Sequence, residues 1–166
     1  HHAGISADIV TVAKALGNGV PIGAVWATAE VASAFGPGDH GSTFAGQPLA
    51  AAAAREVLRG MEEIDVPLLA RERGAELTAL LESVPGVAGV RGLGLLRAAE
   101  LRPEALDGRT AAEVARACLD AGLVVNGVTS TALRLAPPFT VSGDELVEGV
   151  GILAGVMAAG SAGEAT

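Results

Sequence analysis

The stretch Asp65-Val66-Pro67 divides the chain into two parts that follow different folding rules. Before it, "DIVTVA" (8–13) and "IGAVWAT" (22–28) are apolar and β-rich, which predicts two short strands buried on both faces. "AEVASAF" (29–35) reads as a short helix stopped by Gly36-Pro37-Gly38. "PLAAAAAREVLRGMEEI" (48–64) opens on proline, whose missing N–H costs little in a first helical turn, and continues with strong helix formers. Two strands and a helix leave sheet edges unpaired, so residues 1–63 are not expected to form a complete domain. The chain opens on "HHAGISAD" without methionine, and further sequence upstream is the simplest expectation.

After the divide, the pattern becomes self-sufficient. "LLARERGAELTALLESV" (68–84) predicts an amphipathic helix with Leu69, Leu77, Leu80 and Leu81 on one face. "PGVAGVRGLGLLRAAEL" (85–101) predicts two short strands around Arg91-Gly92-Leu93-Gly94. Asp107 or Thr110 can cap a helix running to Ala121. "GLVVNGV" (122–128) and "ALRLAPP" (132–138) read as strands, and Ser142 with Glu145 forms a capping box for a last helix. Residues 64–160 are thus expected to make a small C-terminal α+β domain with mixed strands and two or three helices. Residues 161–166 are expected to be a disordered tail.

Composition excludes several functions. The net charge is -8, which disfavours nucleic acid, because phosphate neutralisation by Lys and Arg supplies most non-specific affinity. The longest uncharged stretches, residues 15–29, 40–54 and 149–163, fall short of the roughly 20 apolar residues that span a bilayer. No signal peptide is visible, so a cytoplasmic location is expected. The single cysteine, Cys118, cannot form an internal disulfide and reads as a small buried helix residue. His1, His2 and His40 have no metal-ligand spacing, so no metal is expected.

Three places can carry chemistry. Lys14 is the only lysine among 11 basic residues, and it stands between an apolar strand and the glycine-rich loop "ALGNGVP". A buried amine there loses its proton readily and can attack a carbonyl as a Schiff-base lysine; a lysine snorkelling from a strand end is the alternative. In "HGSTFAG" (40–46), Ser42 and Thr43 precede a helix N-terminus and can bind an anion such as phosphate, or simply lead into the helix. The loop is not a P-loop, and "GNGVPIG" and "RGLGLL" do not make a dinucleotide fingerprint. Arg134 lies in "TALRLAPP", where a guanidinium among apolar residues needs an anionic partner: a substrate carboxylate or an internal ion pair.

In their order, "DIVTVAKALGNGVPIGA", "HGSTFAGQPLA", "VRGLGLL" and "LRLAPP" resemble the class III pyridoxal-phosphate-dependent aminotransferases, over nearly all of residues 1–158. Within that family, "GLVVNGVTSTALRLAPPFTVS" is most similar to the enzymes acting on acetylornithine. The resemblance implies an α/β chain: residues 1–63 as the end of the large domain of a fold-type I transferase, residues 64–160 as its smaller C-terminal domain. It implies pyridoxal 5'-phosphate as cofactor, amino-acid and 2-oxo-acid substrates, and a homodimer with active sites at the interface. Lys14 would bind the cofactor covalently and shuttle a proton. Thr43, beside Ser42, would reach the phosphate of the cofactor in the partner subunit, and Arg134 would hold the substrate's α-carboxylate. The implied reaction moves the δ-amino group of N-acetylornithine to 2-oxoglutarate in arginine biosynthesis. Ornithine, succinylornithine or 4-aminobutyrate are alternative donors, and a non-catalytic dimerisation module is the alternative to an enzyme. Ala45, Gln47, Leu93 and Ala98-Ala99 depart from the usual family residues without removing a named role. The family's residues for the rest of the cofactor lie upstream of its lysine, so the 166-residue chain alone is expected to be inactive.

Overall fold

The computed structural model describes residues 4–160, which fall in two compact units, His1–Ile64 and Asp65–Thr166. The expected tail at 161–166, and His1 and His2, lie outside the described residues. No helix among the described residues is long and apolar enough to cross a membrane.

In the first unit, β1 (Ile9–Val12) and β2 (Ala24–Ala27) form an antiparallel ribbon, with Ile9 opposite Ala27 and Val12 opposite Ala24. A 3-10 turn, Lys14–Gly17, leaves β1 where only a loop was expected. The short helix α1 (Ala29–Ala32) is capped by Thr28, whose hydroxyl accepts from the Val31 N–H. Helix α2 (Pro48–Glu63) starts on the proline and packs against the 3-10 turn.

The expectation of strands buried on both faces fails here. Trp26 and Val25 are 57% and 71% exposed, and all of β1 is exposed. Among the described residues of this unit, only Gly17, Ala50 and Ala54 are buried. A two-stranded ribbon has no layer of its own to cover either face, so apolar composition alone cannot bury it.

The second unit has a core. Helix α3 (Val66–Glu82) is followed by the hairpin β3 (Val87–Leu93) and β4 (Leu96–Leu101), then α4 (Pro103–Leu106), α5 (Ala111–Asp120), β5 (Asn126–Gly127), β6 (Ala132–Leu135) and α6 (Gly143–Gly160). The sheet order is β3-β4-β6-β5, and every pairing is antiparallel, so the expected mixed strands are corrected. Among the described residues the helices of this unit number four rather than two or three, because Pro103 opens an extra turn. The expected strand 122–128 shrinks to Asn126–Gly127: Val125 is buried in the core, and the ladder to β6 begins only after it.

Register gives the sheet two unlike faces. Residues directly opposite across a ladder share a face. Val90, Ala99 and Leu133 form one such row, and it packs into the core with Leu77 and Leu81 of α3, Val114 and Cys118 of α5 and Leu153 of α6. The other face carries Arg91, Ala98, Glu100, Arg134 and Asn126, and Arg91 Nε donates to Glu100 Oε1 at 2.8 Å. The expected capping box at Ser142 is present, and Thr110, one of two expected caps, makes a second one with Glu113. The Thr110 hydroxyl accepts from the Glu113 N–H while Glu113 accepts from the Thr110 N–H, and Ser142 with Glu145 does the same. Asp107, the other capping candidate, instead ends α4 in the left-handed region at φ 51°.

Candidate functional site

Lys14 stands one residue past the Ala13 that ends the strand run, at the first position of the 3-10 turn. Its φ is 54°, in the left-handed region, which costs a residue with a side chain about 1–2 kcal/mol. The Leu16 N–H donates to the Ala13 carbonyl at 3.1 Å and holds the bend. The chain therefore keeps its only lysine at the expected strand exit, with a left-handed backbone that sequence pattern did not reveal. Strain of this kind concentrates at functional positions. The side chain is exposed, so the expected desolvation of the amine is not provided by the described residues, for the same reason that the ribbon is open. Lys14 takes part in none of the ion pairs among the described residues.

Ser42 and Thr43 lie on the exposed loop between α1 and α2. The Ser42 hydroxyl accepts from the Phe44 N–H at 3.3 Å, and its carbonyl accepts from the Ala45 N–H, so Ser42 shapes the loop. The Thr43 hydroxyl makes no hydrogen bond among the described residues. Five residues later α2 begins, with Pro48 in its first turn and no side-chain cap from Gln47. Its leading N–H groups thus remain open to an acceptor, and the helix end favours an anion.

Arg134 belongs to the second unit. Leu133 and Leu135 beside it are buried, but alternation along the strand turns Arg134 to the open face of the sheet. Arg134 is therefore exposed rather than enclosed by apolar residues. Nη2 donates to the neutral Oδ1 of Asn126 at 3.3 Å, and none of the ion pairs among the described residues includes Arg134. Among the described residues, no three His, Cys, Asp or Glu side chains come together as metal ligands.

The aminotransferase class-III family description matches residues 1–157. The chain belongs to the class III aminotransferases. Among curated members, the acetylornithine aminotransferase of Corynebacterium efficiens is 43% identical over 157 residues, covering 95% of this chain and 38% of that protein. That of Gloeobacter violaceus is 43% identical over 162 residues, covering 95% and 39%. The chain thus spans about two fifths of the length of these relatives. Among solved structures, the Toxoplasma gondii ornithine aminotransferase superposes with a TM-score of 0.83 at 30% identity, covering 97% of this chain and 39% of that one. It was crystallised with oxidised glutathione and shows partial occupancy of pyridoxal phosphate at its active site. The acetylornithine aminotransferase of Elizabethkingia anophelis gives 0.79 at 30% identity, covering 96% and 41%.

For a class III aminotransferase, the chain's own groups fit a phosphorylated aldehyde cofactor. A primary amine with no ion-pair partner among the described residues stands on a strained bend, and a hydroxyl with no hydrogen bond among them precedes a helix N-terminus that lacks a side-chain cap. Asn126, the partner of Arg134, was missed by sequence reading. The contact spans eight residues and depends on β5–β6 register, which no local pattern encodes.

Proposed function

We propose that this chain is the C-terminal part of an acetylornithine aminotransferase, which moves the δ-amino group of N-acetylornithine to 2-oxoglutarate in arginine biosynthesis. The observation that carries the reading is the 43% identity to acetylornithine aminotransferases over 95% of the chain. In this reading the first unit is the end of the large cofactor-binding domain of a fold-type I transferase, and the second is its small domain. The full protein works as a cytoplasmic homodimer with shared active sites, and the 166-residue chain alone is inactive.

When bound, pyridoxal 5'-phosphate supplies the electron sink that amino-group transfer needs. Lys14 is the residue that would hold the cofactor through its aldehyde group, and its amine would move the proton at the substrate carbon that bears the amino group. The bend at Lys14 fixes where that amine leaves the strand. Thr43 would donate its hydroxyl to the phosphate of the partner subunit's cofactor, aided by the N-terminus of α2. Ser42 keeps the loop in shape for that contact. Arg134 holds the α-carboxylate through two parallel N–H bonds and so orients the substrate.

The test uses the full-length enzyme. Lys14→Ala should abolish turnover and the visible absorption of the lysine-bound cofactor, while phosphate contacts keep some cofactor associated. Turnover near the parent rate would refute the role of Lys14. A donor panel of N-acetylornithine, ornithine, succinylornithine and 4-aminobutyrate tests the substrate. Ornithine is the foremost competitor, since ornithine aminotransferases are among the structural neighbours.

A further inference from the structure

One row of residues crosses the open face of the four-stranded sheet: Arg91, Ala98, Arg134 and Asn126, from β3, β4, β6 and β5 in turn. Arg91 is turned to Glu100, and Ala98 offers Arg134 only a methyl group. The guanidinium of Arg134 is instead met from the other flank, where Oδ1 of Asn126 accepts from Nη2 at 3.3 Å. Arginine only donates, so the amide must present its oxygen here.

We propose that Asn126 is the positioning residue for the carboxylate-binding arginine: it fixes the plane of Arg134 by a neutral hydrogen bond and leaves the charge for the substrate. The proposal deepens, and rests on, the reading of Arg134 as the carboxylate fork. A guanidinium carries five N–H donors and stays charged. Asn126 occupies one donor, while a bidentate carboxylate needs two. A carboxylate at position 126 would hold the same plane but also pair with the charge, and would compete directly with the substrate.

The position of Asn126 is itself fixed. The next residue, Gly127, faces the opposite way, toward α5, where an added Cβ would lie 2.6 Å from the Ala112 nitrogen. Strand β5 is therefore seated against the first turn of α5. Upstream, the Leu123 N–H donates to the Cys118 carbonyl at 2.8 Å; downstream, the Val128 N–H donates to the Ala132 carbonyl at 2.9 Å. A segment tied at both ends and pressed on a helix holds its side chain in a constant place, as a positioning residue must.

The experiment compares the full-length parent with Asn126→Asp, Asn126→Ala and Arg134→Gln. The amino-donor half-reaction is followed by cofactor absorption, with donors that carry an α-carboxylate and with an amine that has none, and Tm is recorded for each variant. Asn126→Asp should raise the half-saturating concentration of carboxylate donors roughly tenfold, with the maximal rate within about twofold. The carboxylate-free amine should be unaffected. Tm should stay level or rise, because the introduced carboxylate pairs with Arg134 in the free enzyme. Asn126→Ala should give a smaller rise in half-saturating concentration of the same kind. A merely structural residue would lower Tm and slow every donor alike, and that outcome overturns the proposal. So does an unchanged Asn126→Asp enzyme when Arg134→Gln still weakens carboxylate donors, a result that leaves the Arg134 reading standing. If Arg134→Gln also changes nothing, the reading of Arg134 falls and the proposal with it.

Discussion

Gly74 sits in the interior of α3, a helix of 17 residues, where glycine is about 1 kcal/mol worse than alanine. On propensity alone, Gly74→Ala should stabilise the protein. The structure reverses that sign. A Cβ at Gly74 would collide with the carbonyl oxygen of Gly94 and lie 2.5 Å from its carbonyl carbon, in the turn of the β3–β4 hairpin. The obstacle is backbone, so no rotamer change relieves it. The hairpin or the helix must move by about 1 Å, and overpacking of this kind costs typically 1–3 kcal/mol. Because relief requires backbone movement, the upper part of that range applies, and the helix gain offsets only about 1 kcal/mol of it. A net loss of about 1–2 kcal/mol follows, or roughly 5–15 °C in Tm for a unit of about 100 residues. Gly151→Ala and Gly155→Ala in α6 are the controls: both glycines are exposed, and an added Cβ meets nothing within 4 Å. These should stabilise by about 0.5–1 kcal/mol. Urea unfolding followed by far-ultraviolet circular dichroism measures all three variants. If Gly74→Ala is as stable as the parent, the close approach of hairpin and helix is not what the glycine serves, and the reasoning fails.

Two further predictions concern the second unit. Glu113 and Glu145 are held below the usual carboxylate range, first by the backbone N–H groups of Thr110 and Ser142 and then by their hydroxyls. Their stabilisation is present above the ordinary carboxylate value of about 4.3 and is lost as pH falls through the lower folded values, so Glu113→Gln with Glu145→Gln should flatten the acid limb of urea midpoint against pH. An unchanged slope would contradict this. Burial pushes the Cys118 thiol above its ordinary value, with the Arg109 charge pulling the other way. Cys118 is fully buried, so a thiol reagent should label the native chain slowly and the urea-unfolded chain at once; equal rates would show that the core around it is open.

What could be read from sequence follows from which forces are local. The capping box of Ser142 was legible because its partner Glu145 lies only three residues away in the same segment. Helix α2 was legible because Pro48 and the alanine run act through the backbone of the same segment. Lys14, Thr43 and Arg134 stood out as residue types in their local setting, and the roles proposed for them rest on the order of four motifs. Burial was not legible in the first unit. Val25 and Trp26 are apolar, yet burial depends on a covering layer, and the composition of a strand does not supply one. The same limit hid the surroundings of Arg134. Its apolar sequence neighbours pointed to a buried charge in need of an acid, but Leu133 and Leu135 project to the opposite face.

The partner of Arg134 is set by the turn between β5 and β6. There the Thr129 hydroxyl accepts from the N–H groups of Thr131 and Ala132, at 3.2 and 2.9 Å, and so fixes where the returning strand begins. A one-residue slip in that turn would send Asn126 toward the core and set Gly127 opposite the arginine. The register of this short turn thus decides whether the guanidinium has a neutral partner. Shortening the turn by deleting Ser130 should therefore weaken carboxylate donors in the full-length enzyme as Asn126→Ala does. An intact carboxylate preference after that deletion would show that Arg134 is oriented without Asn126.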